Sequence, residues 1–114
     1  MEERIGKKIT ETVGDAIPLY LYEGESDAYP YAVYLYEPEY HRTKDGVYKI
    51  TADVTVQVYS NDFDEALEAA DSIRELLDAG MNGNGFSCDL QTARKECEED
   101  VWDIEAVYRI NQYE

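Results

Sequence analysis

The chain has 114 residues, with 26 acidic against 10 basic side chains and a formal charge of −16. One domain of this length buries roughly 65% of the surface that its unfolded form exposes, so it needs no metal or disulfide to hold a core. The charge argues against binding to DNA, RNA or anionic membranes. No apolar run approaches the roughly 18 residues of a membrane span, and no apolar leader opens the chain. A cytosolic product with reduced thiols is expected.

In chain order, the spacing of Ile5, Ile9 and Val13, closed by Ala16 and Ile17, predicts a helix over 3–16 that Pro18 stops. Gly6 and Gly14 weaken it, so packing must hold it. Residues 19–22 are compatible with a short extended piece, and 23–27 read as a polar turn. A strand rich in tyrosine and valine follows over 31–36, ended by Pro38. The segment 37–45 reads as a charged loop ending in the turn dipeptide Asp45-Gly46.

The clearest periodicity comes next. Tyr48, Ile50, Ala52, Val54, Val56 and Val58 alternate with Lys49, Thr51, Asp53, Thr55 and Gln57. Such strict alternation marks a strand with one buried face. Asp62 then opens a second helix, with Glu65 at capping-box spacing. Phe63, Ala66, Leu67, Ala70, Ile73 and Leu77 form its apolar stripe, and Gly80 is the expected stop. Phe86, Cys88 and Leu90 predict a third strand, and 95–100 a polar turn. Trp102, Ile104, Ala106, Tyr108 and Ile110 predict a fourth strand running nearly to the end. The expected fold is an α+β two-layer sandwich: a four-stranded, mainly antiparallel sheet covered by two helices, in the order α-β-β-α-β-β, over residues 1–114 as one domain.

No nucleophile, metal or cofactor signature stands out. The single histidine, His41, has no motif around it and reads as a solvated or interface residue. The stretch Asp78 to Asp89 only loosely resembles a calcium loop: Gly80 takes a ligand position and a strand follows. Cys88 and Cys97 read as separate structural thiols, with Cys88 facing a partner near Ala106. Asp53 reads as a salt-bridge partner on the wet face. Glu98, Glu99 and Asp100 read as a solvated hairpin end. No enzyme activity and no cofactor are expected.

Two features point to contacts. Asp64, Glu68, Asp71, Glu75 and Asp78 form an acidic stripe on the second helix, a solvated face or a negative wall towards DNA or a basic partner. The pairs Asp64/Glu68 and Asp71/Glu75 repel by roughly 0.2–0.5 kcal/mol each. The second is an excess of tyrosine, 11 in all. Tyr34 and Tyr36, on the opposite strand face from Tyr31, are expected on the uncovered side of the sheet, with Tyr40, Val101 and Val107 as further interface residues.

The sequence of segments, YPYAVYLYEP, YKITADVTVQVYS, NDFDEALEAADSIRELLD and VWDIEAVYRINQYE after an N-terminal helix, resembles the tail terminator and tail-completion proteins of long-tailed phages and prophages. The resemblance implies a non-enzymatic protein that assembles with itself into a ring, usually a hexamer. The ring would cap the tail tube and contact tail-tube and neck proteins, moving from the host cytoplasm into the virion tail. An acidic wall such as Asp64 to Asp78 would let DNA pass without binding. The alternative is an acidic DNA mimic that inhibits a nucleic-acid-binding enzyme.

Overall fold

The computed structural model describes residues 1–14, 16–21 and 29–113. The elements are α1 (Ile5–Val13), β1 (Leu19–Leu21), β2 (Tyr31–Leu35), β3 (Pro38–Thr43), β4 (Gly46–Ser60), α2 (Phe63–Gly80), β5 (Phe86–Glu98) and β6 (Val101–Tyr113). They build a six-stranded mixed sheet in the order β1-β2-β4-β6-β5, with β3 following β2 along the same side of β4. Of the pairings between these described strands, only β1–β2 is parallel. The expected four-stranded sheet in the order α-β-β-α-β-β is therefore corrected. The segment 37–45 is mostly strand, because an exposed edge strand wet on both faces carries no apolar alternation. β1 is too short to show a period. The turn expected over 23–27 lies outside the described residues.

β2 and β3 keep one register against β4, from Tyr31 opposite Tyr59 to Pro38 opposite Ala52 and Tyr40 opposite Ile50. They act as one long hairpin arm, interrupted at Tyr36 and Glu37. The second arm, β5–β6, turns on two residues only. Glu99 and Asp100 both have positive φ, 51° and 66°, as the twist of a tight hairpin favours. The polar turn expected over 95–100 is corrected to this shorter one. Cys88 consequently faces Ile110, not Ala106. β4 and β6 pair antiparallel at the centre, so the two hairpin tips point to opposite ends of a molecule 52 × 22 × 22 Å.

The core forms where the alternating face of β4 meets the helices. Ile50, Ala52, Val54, Val56 and Val58 are buried with Ile5, Ile9 and Val13 of α1, Ala69, Ile73 and Leu77 of α2, and Tyr108 and Ile110 of β6. α1 ends at Val13, earlier than expected, where Gly14 adopts φ 61°. At the start of α2, Asp62 Oδ1 accepts from the Asp64 amide at 3.0 Å. Glu65 does not complete the expected capping box. It accepts instead from Ser60 Oγ at 2.8 Å. Gly80 is the last residue of α2, packed so closely on Thr12 that a Cβ there would collide with its methyl group.

Candidate assembly surface

Both helices pack on one face of the sheet, and among the described residues no helix covers the other. The uncovered face carries Tyr31, Val33 and Leu35 from β2 and the odd-numbered residues of β4 and β6. At one end it is a cluster of tyrosines. Tyr31 stacks on Tyr29 (centroids 5.9 Å apart) and on Tyr59 (5.2 Å), and meets Tyr20 edge-on at 6.2 Å. Val33 is 6% exposed on this side, whereas Leu35 is 38% exposed.

The placement expected for Tyr34 and Tyr36 is corrected. Ala32 and Tyr34 sit opposite Val58 and Val56, so they point towards the helices. Tyr34 is 5% exposed, with its hydroxyl 3.3 Å from Thr10 Oγ1. Tyr36 donates to the Glu3 carboxylate at 3.1 Å. Burial and that carboxylate push its pKa up to about 12. Its ring lies against the bare Cα of Gly6, where a Cβ would collide with the phenol oxygen. Tyr40, 43% exposed, shares the helix side with Ile50. Val101 and Val107 are half-buried on the uncovered face. The tyrosines clustered there are Tyr20, Tyr29, Tyr31 and Tyr59, with Tyr113 further along the same face, and none of them is among the interface residues expected from the sequence. The small Ala32 was the available hint, because it marks where a strand passes under packed neighbours.

Beyond the tyrosines the face becomes polar. A chain of hydrogen bonds crosses four strands: His41 Nε2 to Thr51 Oγ1 (3.1 Å), Thr51 Oγ1 donating to Asn111 Oδ1 (2.7 Å), and Asn111 Nδ2 donating to Ser87 Oγ (3.1 Å). Asp53 pairs with Arg109 at 3.0 Å. Asp103 is the electrostatic weak point. Its Oδ1 is buried with no hydrogen-bond partner among the described residues. Burial, then Glu105 and Glu96, raise its pKa. Burial and Asp103 in turn raise that of Tyr59.

Of the acidic stripe, Asp64, Glu68, Glu75 and Asp78 are exposed and Asp71 is half-buried. Its local relief is the Asp71–Arg74 pair, at 3.5 Å. Arg74, Glu75 and Asp78 border a cavity of about 190 Å³ over Cys88, Leu90 and Tyr108, where α2 leaves β5 uncovered. Burial pushes the Cys88 thiol up to about 11, while Cys97 is exposed. Among the described residues no group of His, Cys, Asp or Glu could hold a metal ion, and no helix is long and apolar enough to cross a membrane.

No protein-family model matches the chain, and no curated protein matches it either. Its fold, however, is shared with a solved structure. A chain from the virion of a native gene transfer agent particle superposes with a TM-score of 0.64 at 17% identity, covering 93% of this chain and 84% of that one.

Proposed function

We propose that this chain is a structural component of a phage or phage-like virion, and specifically a ring-forming tail terminator or tail-to-neck joining protein. The observation that carries the reading is the shared fold with a chain of the gene transfer agent virion, which extends over 93% of the present chain. The uncovered sheet face adds support. A face meant for water does not need four clustered tyrosines, and tyrosine is favoured where an apolar body must be covered and a polar tip satisfied. In this reading the occupant of that face is a second copy. Closed rotational assembly then gives a ring, expected to be a hexamer, that meets tail-tube and neck proteins and excludes DNA from its own surface by charge. The protein resides in the host cytoplasm until it joins the tail.

The test is the mass of the protein in solution across a wide concentration range, with and without a tail-tube protein, alongside negative-stain images. Closed rings support the reading. A monomer at every concentration, with the tube protein present, overturns it. Displacement of DNA from a basic enzyme without ring formation favours the acidic-mimic alternative instead.

A further inference from the structure

The molecule is 52 Å long, and two charged features stand near its opposite ends. At one end, the first half of α1 and the start of β5 enclose a cleft of about 240 Å³ lined by Arg4, Lys7, Lys8, Glu11, Asn84 and Phe86. The Arg4 guanidinium lies 5.6 Å and the Lys8 ammonium 5.8 Å from the centre of the Phe86 ring. That ring is 7% exposed, so it forms a fixed floor beneath two cations. Among the described residues none of Arg4, Lys7 and Lys8 forms a salt bridge. Glu11 is the one carboxylate among the lining residues, so three cations outweigh it around a concave site, an arrangement that suits an anion from outside in a chain with 26 acidic side chains.

At the other end stands the β5–β6 turn. Glu98, Glu99 and Asp100 are exposed there, and the two turn residues hold positive φ. None of the three is ion-paired among the described residues. β6 separates this tip from the cleft by about 40 Å at the usual rise per strand residue, so the two cannot meet within one chain.

We infer that the acidic β5–β6 tip of one copy docks into the Arg4/Lys7/Lys8 cleft of the next, head to tail. The inference rests on the ring reading above and names one of its contacts. The tip is convex and anionic, and the cleft is concave and cationic. The net charge of −16 on each copy does not forbid the contact. Screening at physiological ionic strength acts over about 8 Å, so the nearest charges decide the encounter. Tip and cleft are different surfaces, so the contact is heterologous, and it gives a ring where the rotation from copy to copy closes. A long polyanion fits less well, because anything lying along the molecule beyond the cleft would meet the carboxylates of α2.

The experiment uses full-length chains with reversed charges. One variant carries Lys7→Glu and Lys8→Glu, a second carries Glu98→Lys and Glu99→Lys, and a third carries all four. Thermal melts check that each folds. Sedimentation then reads the concentration at half-assembly, with tail-tube protein present. Each two-site variant is expected to need at least tenfold more protein than the wild type. An equimolar mixture of the two, and the four-site variant alone, are expected to recover assembly. Assembly of the two-site variants at wild-type concentrations overturns the contact while leaving the ring intact. Loss without recovery in either rescue also overturns it. A wild type that never assembles removes the ring reading itself, and the contact with it. Binding of a short DNA duplex that only the cleft variants lose reassigns the cleft to nucleic acid and overturns the proposal.

Discussion

Replacing Gln112 with leucine tests how α1 is held. The helix has nine residues and its first cap, Arg4, makes no side-chain capping bond. A helix this short is marginal by itself. Its start is held instead by two side chains. Glu3 Oε1 accepts from the Ile5 amide at 2.7 Å. Gln112, fully buried near the end of β6, accepts from the Arg4 amide at 2.7 Å and donates to the Glu2 carbonyl at 2.7 Å. Leucine keeps most of the volume and loses both bonds. Each bond is worth about 1 kcal/mol net, and each backbone group left unpaired adds a desolvation cost. Partial access of water at the chain start limits that second cost, so about 2–3 kcal/mol is expected in total. For a domain near this size the melting temperature should fall by on the order of 10 °C. Circular dichroism melts read the shift, and hydrogen exchange should show α1 amides losing protection before those of β4. A melting temperature within about 2 °C of wild type would refute the argument that Gln112 anchors α1.

Other outcomes follow from the same geometry. Tyr34→Ser should destabilise the fold by several kcal/mol, of the order seen when a core aromatic is truncated. The double variant Tyr31→Ser, Tyr59→Ser should keep its circular dichroism spectrum and lose assembly, and the two measurements together check the face assignment. Asp103→Asn should raise the melting temperature at pH 7. The folded pKa of Asp103 is raised, so the folded protein holds that proton more readily than the unfolded chain. The charged form therefore costs stability, and the cost is relieved as pH falls through the folded value. The gap between variant and wild type should close by about pH 3; a gap that stays constant between pH 7 and pH 3 would rule out ionisation as its origin. Iodoacetamide at about pH 8 should modify Cys97 and spare Cys88, since burial pushes the Cys88 thiol up to about 11 and only the thiolate reacts. Mass spectrometry of peptides reads both sites.

Much of the fold was legible where one side of an element is wet and the other dry. β4 is the clear case: its alternation predicted the buried residues Ile50 to Val58, and the apolar stripe of α2 predicted Ala66, Ile73 and Leu77. β3 was hidden for the opposite reason. Glu39 and Arg42 are exposed and His41 is half-buried, so no residue pattern separates this strand from a loop. The outer half of β5 was hidden twice over. All its residues from Asp89 to Glu98 are exposed, and a register shift between Leu90 and Thr92 changes which parity faces the helices. For β2 the difficulty was ambiguity. Tyr31, Val33 and Leu35 are as apolar as Ala32, Tyr34 and Tyr36, so period two identifies the strand and leaves its inner face open. Pairing with β4 decides it, and that is a tertiary fact.

The same register bears on how copies could associate. β5 is a thirteen-residue edge strand, long enough to invite pairing with an edge of another molecule. It carries the usual deterrents: a bulge after Leu90 and the charged side chains Arg94, Lys95, Glu96 and Glu98. Extension of the sheet across that edge is thereby disfavoured. The surfaces without such deterrents are the tyrosine end of the uncovered face and the cationic cleft at α1. An assembly built from those two contacts uses different parts of each copy, so it can turn through a fixed angle at every step and close, where edge pairing would extend a flat sheet without limit. The discriminating perturbation is the bulge. On the ring reading, deleting Gln91 should restore a regular β5 edge and shift assembly from closed rings towards open, concentration-dependent fibres. Rings of unchanged size in that variant would show that the edge was never the competing route.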